Sequence, residues 1–222
     1  MARGVPMKKF EQELGTLKRR IIEMGALAES MVAAASNALI NAERAAIEQV
    51  RTSEPGLDRF QVEIDREAIR LVTVYSPVAK DLRCLLMMLR ITSELERIGD
   101  QAVDNCKYVE ILPSHPPLTP LRELSQMSVK TLRMVQEALR AFEHEDIDKA
   151  QAVIGLDDQV DAMNAETFRH LLEQRATDPD IVTRGIGLIL AAQSLERIAD
   201  HATNICEEVI YLVEGEDIRH RT

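Results

Sequence analysis

The stretch Ser76–Ile111, SPVAKDLRCLLMMLRITSELERIGDQAVDNCKYVEI, decides the fold. Its LERIGD at Leu95–Asp100 returns 100 residues later as LERIAD at Leu195–Asp200. Cys106 returns as Cys206 and Asp104 as Asn204 at the same offset. A fixed offset held over a helix length is the mark of an internal duplication. Each copy opens on a capping residue and a proline, Ser76-Pro77 and Asp178-Pro179, which reads as a helix start. Inside the first copy, Cys84, Met88, Ile91, Leu95, Ile98, Ala102 and Val109 form one apolar stripe. Leu188, Ala191, Leu195, Ile198, Ala202 and Val209 repeat it. Spacings of three and four place each set on one face of a long helix.

Between the copies lies ILPSHPPLTPL, with Pro113, Pro116, Pro117 and Pro120. Proline lacks the amide donor and clashes with the preceding turn, so no helix interior survives that density. The chain therefore divides into a repeat at 1–112, a joint at 113–120 and a repeat at 121–222. Phe10, Leu14, Leu17, Ile21, Met24, Ala28, Met31 and Ala35 give a heptad stripe for the first helix. A short segment at Asn41–Arg51 should end at Glu54-Pro55-Gly56, followed by helices at Leu57–Tyr75 and Pro77–Leu112. The second half should hold helices at Leu118–Phe142, Asp146–Ala176 and Pro179–Val213. The expected fold is all-α: two repeated antiparallel three-helix bundles, joined end to end or side by side.

Composition agrees and narrows the function. Of 222 residues, 45% are apolar, only 3% aromatic and none is Trp, which favours helices over a β-sandwich. A net charge of −10 and the lack of a Lys/Arg block speak against a nucleic-acid binder and repel an anionic membrane surface. No apolar run follows MARGVPMKKF, and the strongly apolar stretch Gly185–Ala192 is too short to span a bilayer. Three cysteines without CxxC spacing make neither a disulfide framework nor a zinc knuckle. The expected setting is the cytoplasm. Cys106 and Cys206 read as small buried fillers, and Asp81 with Arg83 as a surface ion pair.

A second stripe, Val78, Leu82, Leu85 and Leu89, runs on into Glu96, Asp100 and Asp104. Val182 and Ile189 lead in the same way to Glu196 and Asp200. Acids four residues apart repel, and beside an apolar face their desolvation adds to the cost. Arginine, protonation or a metal cation must offset it. On the preceding helix, Asp157 and Asp161 repeat the spacing in half two, with Gln61 and Asp65 as the counterparts in half one. Facing helices of this kind present only oxygen donors, which suit iron(III), manganese, magnesium or calcium; zinc with such a shell is less typical. The plainer reading is a solvated acidic face. No GxGxxG, P-loop lysine, HExxH or GxSxG is present, and no organic cofactor is implied.

These residues resemble the PhoU family, through the paired LERIGD and LERIAD, the preceding SPVAKDLRCLLMMLRITSE and the tail NICEEVIYLVEGEDIRH. The resemblance spans essentially the whole chain. It implies two repeated three-helix bundles whose E/DxxxD motifs bind multinuclear iron or zinc. Carried onto this sequence, the metal positions are Glu96, Asp100, Glu196, Asp200, Asp157, Asp161 and Asp65. Gln61 stands where an acid is usual, and Asp104 is the compensating acid one turn past Asp100. The resemblance further implies a non-enzymatic negative regulator of the phosphate-starvation response. Such a protein links the ATPase subunit of a phosphate ABC transporter to a sensor histidine kinase, and is often a homodimer. The alternatives are a carboxylate-bridged metalloprotein with oxidase or metal-storage activity, and a purely structural bundle with solvated acids. The first needs Glu-x-x-His, and Gly99 and Ala199 stand where its histidines belong.

Overall fold

A computed structural model describes residues 4–41, 43–111, 121–173 and 179–218. Seven helices follow in order: α1 (Gly4–Asn41), α2 (Arg44–Tyr75), α3 (Lys80–Ile111), α4 (Leu121–His144), α5 (Ile147–Ile154), α6 (Asp157–Glu173) and α7 (Pro179–Glu214). No strand occurs among the described residues. Helices α1, α2 and α3 pack on one another as the first bundle; α4, α5 with α6, and α7 make the second. The proposed joint at 113–120 lies outside the described residues, as does the Asp178 cap.

The apolar stripes fill the core. From α1, Leu17, Ile21, Met24, Ala28 and Met31 are buried, and Leu14 is half-buried. From α3 and α7 come Met88, Ile91, Leu95 and Ile98, then Leu188, Ala191, Leu195 and Ile198. Cys106 and Cys206 are buried among them. Burial pushes the Cys106 thiol up to about 11, so it stays protonated.

The middle helix of each half departs from expectation in opposite directions. Pro55 was expected to break the chain, yet α2 runs unbroken through it. Proline at this point removes one i→i−4 bond, and packing of Val50, Leu57 and Ile64 in the core outweighs that loss. In half two, where one helix was expected from Asp146, the chain breaks at Gly155-Leu156. Gly155 N–H bonds Gln151 at 3.0 Å and Leu156 N–H bonds Val153 at 2.9 Å, closing α5, and α6 starts afresh at Asp157. Replacing Pro55 by Ala restores a donor to the Arg51 carbonyl. It is expected to stabilise the protein by about 1 kcal/mol, a rise of roughly 2–4 °C in melting temperature by calorimetry.

The start of α3 also differs. Ser76 is the left-handed C-cap of α2 (φ 47°), its N–H bonding Val72 at 2.9 Å, so α3 begins at Lys80 rather than Pro77. Arg83 does not serve a local ion pair with Asp81; its guanidinium lies 5.9 Å from the Tyr211 ring centre on α7.

The halves lie side by side, chiefly through α3 against α7 and also through α1 against α4. Along the α3/α7 seam Arg90 meets Glu208 at 3.2 Å. His201 Nδ1 lies 2.7 Å from Glu94 Oε2, and Asn204 donates to the same oxygen at 3.1 Å. Asn105, fully buried, donates to the Ala191 carbonyl at 3.3 Å. As residue numbers rise on α3 their partners fall on α7, so the two helices run antiparallel. One contiguous apolar core crosses both halves.

Candidate metal centre

In half two the restart of the helix at Asp157 puts two acids at the beginning of α6. Asp157 and Asp161 sit one turn apart and face α7, which presents Glu196 and Asp200. Carboxylate oxygens of Asp157, Asp161 and Asp200 lie within 4.8 Å of one another. Thr203 donates to Asp157 at 3.3 Å.

The electrostatics of this cluster are those of crowded like charges. Burial, then Glu196, Asp157 and Asp161, push the Asp200 carboxyl up to about 6. Burial and the neighbouring Asp161 also raise Asp157. Glu196 is raised by burial and by Asp161, with Arg197 pulling the other way. A set of oxygen donors this close, with protons held above their ordinary range, fits a hard cation. Glu196 stands beside the triad rather than within it.

Half one is assembled differently. Asp65 was expected to face Glu96 and Asp100, but it is exposed and exerts no pull on either. The acid that α2 brings to them is Asp58: its charge raises both, after burial as the largest cause. Asp58 and Asp65 share a helix face, seven residues apart, so Asp65 lies roughly 10 Å further along α2. Asp104 pairs with Lys107 at 2.8 Å, one turn away on the same helix. Among the described residues half one forms no triad like that of half two.

A signal for Asp58 was present in the sequence. Gly56-Leu57-Asp58 recurs as Gly155-Leu156-Asp157, so Asp58 matches Asp157 and Val62 matches Asp161. Gly99 leaves room for this approach. A Cβ there would sit 2.1 Å from Leu57 Cδ2, so an alanine would force the Leu57 side chain to shift.

Glu94 and His201 were not singled out by the sequence, because they meet across 107 residues. Burial works to raise the Glu94 carboxyl, but the bonds from His201 and Asn204, with Arg97 at 3.7 Å, hold it below its usual value.

The molecule is thus an all-α protein of two repeated three-helix bundles, each placing acids from neighbouring helices side by side. The PhoU domain pattern matches residues 21–109 and again 124–209. The chain belongs to the PhoU family. It is 36% identical over 214 residues to the phosphate-specific transport system accessory protein PhoU homolog of Pseudomonas aeruginosa, covering 96% of this chain and 88% of that one. The Rhizobium meliloti homolog of the same name is 35% identical over 210 residues, 94% of this chain and 89% of its own. The crystal structure of PhoU from Pseudomonas aeruginosa superposes with a TM-score of 0.89 at 36% identity, covering 93% of this chain and all of that one. These relatives are named as accessory proteins, not enzymes.

Proposed function

We propose that this chain acts in phosphate transport as a negative regulator of the phosphate-starvation response. It would serve as an adaptor between the ATPase subunit of a high-affinity phosphate ABC transporter and a sensor histidine kinase. The supporting observation is likeness over 96% of the chain to a protein named as accessory to phosphate-specific transport. A long, acidic, helical surface suits an adaptor, since charge complementarity governs encounter and partner choice. No described helix is long and apolar enough to cross a membrane. The adaptor would work as a homodimer at the cytoplasmic face of the transporter.

In this reading Asp157, Asp161 and Asp200 hold a hard cation, with Glu196 beside them. Iron, manganese or magnesium match the all-oxygen donors better than zinc. The bound ion supplies positive charge that cancels the repulsion among the acids. In half one, Glu96, Asp100 and Asp58 make a looser acidic site, with Asp104 beside Asp100 and Asp65 further along α2.

Deleting the gene should switch on phosphate-starvation genes in cells grown in abundant phosphate. Reporter expression that stays at the repressed level after deletion defeats the regulatory role.

A further inference from the structure

The turn of α7 that carries Asp200 also carries Thr203, which is 9% exposed. Its hydroxyl donates to Asp157 Oδ1 at 3.3 Å, reaching from α7 to α6. Other helical threonines of this molecule behave differently. Thr16, Thr52, Thr73, Thr92 and Thr167 each donate to the carbonyl four residues back. A helix always offers a threonine that local partner. Thr203 forgoes it for a carboxylate on a neighbouring helix.

That choice matters because a carboxylate turns about its own side-chain bonds, and a ligand set is useful only when its oxygens converge. Asp157 opens α6 directly after the break at Gly155-Leu156, so α5 does not set its direction. Thr203 supplies a fixed point. The turn of α7 that bears it is itself held from the α3 side, where His201 and Asn204 bond Glu94 Oε2 at 2.7 and 3.1 Å. The donor to Asp157 therefore stands on a stretch of helix with partners on both flanks.

The duplication supplies the comparison. Val103 stands at the matching position in half one, 7% exposed, and has no side-chain donor. The acid it would have served is Asp58, the match of Asp157. Threonine and valine share a branched shape, so either one fills the space between the helices. The hydroxyl is what half two adds. Half two also holds Asp161 where half one has Val62. Both of these differences between the repeats bear on the same triad.

We propose that Thr203 is a positioning residue of the half-two cation site: its hydroxyl holds the Asp157 carboxylate in place beside Asp161 and Asp200 before an ion arrives. A ligand already oriented loses less freedom on binding, so the ion is held more tightly. This rests on the cation reading of the triad, and adds to it a residue that does not itself ligate. By the same reasoning half one, with Val103 and Val62, is the weaker site.

The test is a titration of the full chain with manganese(II) at pH 7.5, the free ion being counted by electron paramagnetic resonance. Every protein compared carries Asp100→Asn, which takes half one out of the isotherm. Thr203→Val should weaken binding about tenfold, the low end of the cost of losing an outer hydrogen bond to a metal ligand. Thr203→Ser keeps the hydroxyl and should retain most of the affinity. Without metal, both variants should melt within about 4 °C of the parent, because Thr203→Val loses one hydrogen bond to a half-buried carboxylate. Affinity unchanged by Thr203→Val overturns the proposal. So does an equal loss in Thr203→Ser, which would assign the effect to packing of the methyl group. If the Asp100→Asn parent binds no manganese, the cation reading of half two falls and this inference with it. Binding that is indifferent to Thr203→Val leaves that reading standing and removes the inference alone.

Discussion

Manganese added to the metal-free protein at pH 7.5 is expected to raise its melting temperature by about 5–10 °C, and at pH 5 by far less. An ion at one hundred times its dissociation constant stabilises the folded state by about 2.7 kcal/mol, and each kcal/mol moves the midpoint of a chain this long by roughly 2–4 °C. The pH dependence comes from Asp200, whose carboxyl is pushed up to about 6 from 3.8. The folded chain keeps a proton there that the unfolded chain gives up. That contribution is complete below pH 3.8 and is lost as pH rises through about 6. Without an ion, the protein therefore loses stability between pH 5 and 7.5, by about 1 kcal/mol after allowance for the group's partial exposure. An ion binds the ionised carboxylates, so its gain grows over the same window. Asp200→Asn should flatten the metal-free slope and remove most of the manganese gain. Elemental analysis of Glu196→Ala and Asp200→Ala protein gives a second reading. An equal manganese gain at both pH values, or one untouched by Asp200→Asn, sinks the cation assignment.

The second large effect concerns Leu57 and Gly99. Leu57 is buried against α3, and Leu57→Ala should cost about 2–5 kcal/mol through lost burial and a cavity. Gly99→Ala gains helix propensity of up to about 1 kcal/mol but forces its new methyl onto Leu57 Cδ2. Overpacking of that kind costs about 1–3 kcal/mol. In the double variant the clash disappears and the methyl occupies part of the vacated space. Chemical denaturation should show the pair to be about 1–2 kcal/mol more stable than the sum of the single changes. Strict additivity would mean that the two positions do not touch.

The residues that were legible in the sequence are those whose reason is local. The stripes of α1, α3 and α7 are set by helical period, and they occupy the core as their spacing implies. Pro55 misled because its cost is local while the packing that overrides it is not. Gly155-Leu156 carried no comparable warning, since one glycine in a helical pattern is ordinarily tolerated. Asp65 was placed opposite Glu96 by matching acid to acid. The structure aligns the repeats through Gly-Leu-Asp, a backbone and packing signal, which moves the match to Asp58. Half of the candidate site was therefore in view, and the other half hinged on how closely two helices approach. Glu94 gave no sign because its hydrogen-bond partners, His201 and Asn204, lie on the other repeat.

The α3/α7 seam has a consequence for how copies of this molecule recognise themselves. Its polar contacts are not repeated by the duplication: Glu94, Arg90 and Asn105 correspond to Ser194, Leu190 and Ile205. If α3 met the α3 of another copy in the same register, Glu94 would face Asp104 where it now faces Asn204. If α7 met another α7, the buried Glu208 would face Leu190 and lose Arg90. Like-with-like pairing is thus penalised on both sides, and the fused repeats prefer each other over their own kind. The duplication has become a matched pair, and a homodimer that sets α3 against α3 or α7 against α7 is disfavoured.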